Sequence, residues 1–210
     1  MDPIIPPSQL GQAQSPSGAD ALQTLHLIFP AEGKTGETTC VRYSLIQETL
    51  KVSFAVTTSE IAPEDTVDDE IYNRNVVEIF ICTTSSPGRT PRPYYEFEVS
   101  PYNQKLQVLI DINGKFDEKW KTENFRHSAA IRADRSGWDA MLEIPLKDLG
   151  WNGDPATISG NAFAILGAAR PRRFYSAYLP AQQHPDFHLP AYFKPFPLDD
   201  ASSAQSERTA

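Results

Sequence analysis

Cysteine is scarce in this chain: two residues in 210, Cys40 and Cys82. Two thiols cannot staple a disulfide-dense secreted scaffold, and their spacing matches no zinc motif. Each falls in a strand-like run, which suits buried thiols before a bridge. Positive charge is also in deficit, with 19 Lys and Arg against 27 Asp and Glu and a net charge of −8. That balance argues against a nucleic-acid backbone or an anionic membrane as partner, since both reward basic patches. No apolar run approaches the length of a membrane span. The opening MDPIIPPSQLGQAQSPSGAD has neither the basic nor the apolar segment of a secretory signal, so a cytoplasmic location is expected unless a leader precedes it. Helical periodicity is nearly missing too; LKDLG (146–150) is the one plausible turn, with Gly150 as its stop.

What remains is a succession of short strand signals. Residues 1–20 are rich in Pro, Ser, Gln and Gly and read as a flexible arm, as does the tail 201–210. Residues 21–200 between them form one domain. CVRYSLI and LKVSFAV flank QET as a turn. VVEIFIC and YYEFEVS are separated by the loop TTSSPGRTPRP. KLQVLIDI meets NG, a strong hairpin signal, and SAAIRA turns through DRSG into WDAMLEIPL. NAFAILGAAR and FYSAYL follow, before the aromatic-rich HPDFHLPAYFKPFPL. Eighteen prolines against eleven glycines fit many loops and few helices. The architecture expected is an all-β antiparallel sandwich with long loops and at most one or two short helical turns.

Carboxylates stand inside two of the strongest strand signals. Side chains alternate along a strand, so Val77, Ile79 and Ile81 share one face, and Val76, Glu78 and Phe80 the other. Tyr95, Phe97 and Val99 form an apolar set opposite Tyr94, Glu96 and Glu98. If the apolar sets meet in the core, Glu78, Glu96 and Glu98 gather on the second face beside aromatic rings. That face is either a solvated polar surface, which periodicity alone favours, or an aromatic and acidic groove for a polyol.

YNRNVVEIFI, YYEFEVSP, GWDAMLEIPLKDLG and YSAYLPAQQHPDFHLPAYF occur in an order and at spacings that resemble the family 9 carbohydrate-binding modules, the DOMON-like β-sandwich group. The likeness spans roughly residues 38–198. It implies an aromatic pair sandwiching a sugar, Tyr72 and Tyr178 here, with Glu78 binding its hydroxyls. It also places Arg170 at the Arg of the family's N..R strand and Glu98 at a position for a polar contact. The chain departs from the family pattern in three places. Tyr replaces the usual Trp at both clamp positions, Gly167 replaces the Asn of N..R, and FKPF replaces the closing FG.

The ligand-binding set expected is therefore Tyr72, Glu78, Glu96, Glu98, Arg170 and Tyr178, for a sugar-like or polycyclic small molecule. Two function classes stay open. The first is non-catalytic binding of a sugar or related polyol. The second is a standalone enzyme, an isomerase or cyclase of natural-product type, with Glu78 or Glu98 as acid or base. No cofactor is expected beyond structural calcium. Asp68 and Asp69 in TVDDE could supply it with hard oxygen ligands, although a solvated acidic loop is the commoner origin of such a run. His184, Asp186 and His188 have some metal-ligand character, but the place of His188 in the closing motif favours a structural hydrogen bond. Trp138 and Trp151 are expected to pack in the core or at its corners.

Overall fold

The computed structural model describes residues 24–26, 36–63, 70–167, 172–179 and 186–198. The arms 1–20 and 201–210, together with Asp68, Asp69, Arg170 and His184, lie outside the described residues.

Among the described residues twelve strands build two sheets. β1 (Thr24–His26), β2 (Thr38–Ile46), β3 (Thr49–Thr57), β8 (Arg126–Ile131) and β9 (Gly137–Pro145) form one, in the order β1-β2-β3-β9-β8. The other holds β4 (Val76–Cys82), β5 (Tyr94–Val99), β6 (Lys105–Ile110), β7 (Phe116–Asp117), β10 (Ser159–Leu166), β11 (Arg173–Ser176) and β12 (Lys194–Pro195). Its order is β11-β10-β4-β5-β6-β7, with β12 also on β10, and all pairings are antiparallel. This is the expected sandwich, although the described residues hold four short 3-10 turns rather than one or two. No described helix is long and apolar enough to cross a membrane.

Local chemistry sets the turns. Gln47 and Glu48 take φ of 46° and 65° between β2 and β3, the two-residue hairpin form whose twist matches its strands. Asp111 Oδ1 accepts hydrogen bonds from the amides of Asn113 and Lys115, and Gly114 takes the left-handed position of that turn at φ 82°. LKDL forms a 3-10 turn, Leu146–Leu149, stopped by Gly150 in the left-handed region.

Between the sheets lies one apolar core. Val77, Ile79, Ile81, Phe97 and Val99 meet Val52, Phe54, Trp138, Leu142 and Ile144 there. Trp138 is fully buried and Trp151 packs at the edge, as expected. Cys40 is half-buried, Cys82 is buried, and no disulfide joins them.

The outer faces of the two sheets differ. In β2 and β3 burial alternates, so that side is wet. Every residue of β4 and β10 is buried. A second cluster explains this: Val76, Phe80, Tyr94, Val108, Ile110, Phe163 and Ile165 are covered by Phe187 and Phe193 of the C-terminal segment. Phe187 stacks on Phe163 with ring centroids 4.2 Å apart. Periodicity favoured a solvated outer face for this sheet, and the structure corrects that: the aromatic tail lies across it.

Candidate binding cavity

Pairing brings the three carboxylates together. Glu78 of β4 stands directly opposite Glu98 of β5, and Phe80 opposite Glu96, so all three glutamates share the covered face. Their relative exposures are 2%, 5% and 1% for Glu78, Glu96 and Glu98. One oxygen from each lies within 4.8 Å of the others, and this is the convergent metal-ligand-type group found among the described residues. Among the described residues Glu98 Oε2 receives no donor, although the Glu96 carboxyl lies within hydrogen-bonding reach of Glu98.

These glutamates form the floor of a cavity of about 320 Å³. Leu106 and Val108 of β6, Ile165 of β10 and Phe174 of β11 supply apolar wall. Tyr72, on the short turn Ile71–Asn73, and Phe116 of β7 stand at the mouth, 36% and 48% exposed. Glu118 and Asp186 add two more acids to the lining. The Arg172 guanidinium lies 5.6 Å from the centre of the Phe174 ring, and its Nη1 donates to the Tyr72 carbonyl. That bond ties the turn carrying Tyr72 to the β11 edge.

His188 closes one side. Its Nδ1 lies 3.0 Å from the Tyr94 hydroxyl, its Nε2 3.9 Å from Glu96 Oε2, and its ring stacks on Phe80 at 5.0 Å. The structural hydrogen bond expected for His188 is present, and the ring also lines the cavity. Burial holds its pKa below the usual imidazole value, against the opposing pull of Glu96 and Asp186.

Crowding of acids in a dry place has a clear electrostatic result. Burial, then the charge of Glu96, pushes Glu78 well above the usual carboxylate range, with Arg172 pulling the other way. Burial, then the charge of Glu78, does the same to Glu98. Burial and like charge thus favour the neutral form at both positions, and a neutral carboxyl can donate as well as accept.

Of the residues expected at the site, Tyr72, Glu78, Glu96 and Glu98 line this one cavity. Arg170 lies outside the described residues. Tyr178 is half-buried just past β11, beside Tyr43 of the inter-sheet core, and is not in the cavity lining. Arg172, Phe174, Phe116 and His188 complete the walls without having been assigned there from the sequence. Strand register explains two of them: Phe174 pairs with Ile165, which pairs with Val76, so Phe174, and Arg172 two residues before it, fall on the glutamate face.

A second depression, about 350 Å³, lies on the outer face of the five-stranded sheet. Ser53, Ala55, Ser128, Ala130 and Met141 line it, and none of its polar side chains is buried. It offers area without converging groups.

Fold and cavity define a two-sheet antiparallel β-sandwich with a carboxylate-floored cavity on one outer face. A candidate carbohydrate-binding protein from Bacteroides uniformis superposes with a TM-score of 0.63 at 16% identity, over 82% of this chain and 84% of that one. A family 9 carbohydrate-binding module from Caldicellulosiruptor kristjanssonii, in complex with cellotriose, gives 0.57 at 12% identity over 83% and 78%. No protein-family model matches the chain. The mouse UPF0462 protein C4orf33 homolog is 31% identical over 175 residues, which is 76% of this chain and 82% of the mouse protein. The human UPF0462 protein C4orf33 is 30% identical over 139 residues, 61% of each. The chain belongs to the UPF0462 family.

Proposed function

We propose that this protein binds a small sugar-like molecule in the cavity over Glu78, Glu96 and Glu98. One observation carries the reading: buried acids converge on the floor of a cavity whose mouth is framed by two exposed rings. Carboxyls address hydroxyls through hydrogen bonds, while ring faces stack on the apolar face of a pyranose. The volume, about 320 Å³, is at the lower end of the roughly 300–1,000 Å³ typical of ligand sites. It suits one or two sugar-sized units. Solved structures of similar fold include complexes with cellotriose and with glucose. The resemblance in the YNRNVVEIFI segment supports Tyr72 as a stacking ring and Glu78 as a hydroxyl partner.

Removing the Tyr72 ring tests this. Stacking is worth about 1 kcal/mol beyond burial, so Tyr72→Ala should weaken ligand binding by about five-fold. Because the ring is 36% exposed, the melting temperature should hardly move. Calorimetric titration with a monosaccharide panel reads the first, and a thermal melt the second. Unchanged affinity would remove Tyr72 from the site.

A second reading is favoured by the Glu78–Glu98 pair, whose carboxyls both resist ionisation. A carboxylic acid kept protonated at neutral pH is what general acid catalysis requires. In that reading the cavity turns over its ligand, with Glu78 or Glu98 transferring the proton. Incubating wild type and Glu78→Gln with small-metabolite extract, read by mass spectrometry, separates the two. Product formed by wild type alone supports catalysis; binding without product supports recognition.

A further inference from the structure

We infer that the group recognised on the cavity floor is a primary ammonium, which makes an amino sugar or a small aminated polyol the fitting ligand class. The inference rests on the cavity being the ligand site proposed above. Its first support is Glu98. This side chain is 1% exposed and lines the cavity, and among the described residues its Oε2 receives no donor, its near neighbour being the Glu96 carboxyl. A buried acceptor without a donor is costly, so an occupant that brings a donor is favoured there.

Donor count and spacing narrow the choice. A hydroxyl brings one hydrogen; a primary ammonium brings three and a positive charge. Glu78, Glu96 and Glu98 each turn one oxygen to within 4.8 Å of the others. Three acceptors in tetrahedral directions around one ammonium nitrogen, each at about 2.8 Å, stand about 4.6 Å apart. The three oxygens lie inside a limit of that size, so one ammonium nitrogen can reach all of them.

Charge points the same way. Among the described residues the cavity is lined by five carboxyl side chains and one guanidinium, Arg172, with His188 beside them. Arg172 is engaged with the Tyr72 carbonyl and the Phe174 ring. The exposed Phe116 and Tyr72 rings at the mouth can face a cation. A hard divalent cation is the rival occupant of three carboxylates. It takes six to eight oxygens, whereas Leu106, Val108 and Ile165 make the neighbouring wall hydrocarbon.

The test is isothermal titration of the full chain at neutral pH with two matched sets of probes. Glucosamine is compared with glucose and N-acetylglucosamine, and benzylamine with benzyl alcohol; calcium and manganese chloride are run separately. Glucosamine should bind at least about ten-fold more tightly than glucose, and acetylation of the amine should abolish the advantage. Glu98→Gln should remove most of that preference while the circular dichroism spectrum is unchanged. Equal affinity for glucose and glucosamine would overturn the ammonium and leave sugar binding standing. Benzylamine bound in preference to its alcohol, with no sugar bound, would keep the ammonium and overturn the sugar reading. Calcium or manganese binding where neither amine does would assign the floor to a metal instead. No binding by either amine at millimolar concentration would overturn the inference outright.

Discussion

Glu98→Gln should melt several degrees above the wild-type protein at neutral pH, and the gap should widen as pH rises. Glu78 and Glu98 both have folded-state pKa values well above the usual one, through burial and then through neighbouring carboxylates. Above an unfolded value near 4.3, the unfolded chain releases protons that the folded chain retains. Stability therefore declines with rising pH across the window between the unfolded and folded values, by up to about 1.4 kcal/mol per pH unit for each group. Gln keeps the shape of Glu and carries no proton equilibrium. At about 2–4 °C per kcal/mol for a domain of this size, the difference is measurable by thermal melts from pH 5 to pH 8. A Glu98→Gln protein that melts below wild type at every pH would mean that the cluster stabilises the empty fold. The same substitution should weaken ligand binding, so stability and function pull apart at this site.

Arg173→Met should lose on the order of 3 kcal/mol, the lower end for a broken buried pair. Arg173 Nε and Nη2 donate to the two oxygens of Glu37 at 2.6 and 2.7 Å, and Nη2 also reaches Glu60 at 2.8 Å. Glu37 precedes β2 and Glu60 follows β3, so the guanidinium fastens the edge strand β11 to the opposite sheet. The Glu37 side chain is 4% exposed. Burial alone would raise its pKa, but the Arg173 fork, with Thr58 and Tyr175 hydroxyls donating to the same carboxylate, holds it below the usual value. Methionine fills the space of the arginine stem and leaves that carboxylate with two hydroxyl donors. A group with a lowered folded pKa contributes stability above its unfolded value and loses it as pH falls. The deficit of Arg173→Met should therefore shrink below about pH 4. An unchanged melting temperature at neutral pH would show that the clasp contributes nothing.

The hairpins and the sorting of strand faces were legible because both depend on local rules. Alternation placed Ile79 and Phe97 inward and Glu78 and Glu98 outward, and the strand register then set the two acids opposite each other. Alternation alone could not say whether the outward face meets water. That depended on where Phe187 and Phe193 dock, more than eighty residues downstream of Tyr94, and no local signal encodes a contact at that distance. The same limit explains the walls of the cavity. Arg172 and Phe174 join the site through the pairing of β11 with β10, which short-range pattern does not specify. Tyr178 sits past the end of that strand, where its amide donates to Ser176 Oγ.

Methyl-resolved NMR during titration with glucosamine and glucose tests the central claim most directly. Leu106, Val108 and Ile165 line the cavity; Ala130 and Met141 line the depression on the opposite sheet; Ile79 and Leu142 report on the core between. Binding over the buried glutamates predicts saturable shifts at Leu106, Val108 and Ile165, with the other two groups unmoved. Shifts centred on Ala130 and Met141, or none at the three cavity methyls while the sugar binds, would contradict it.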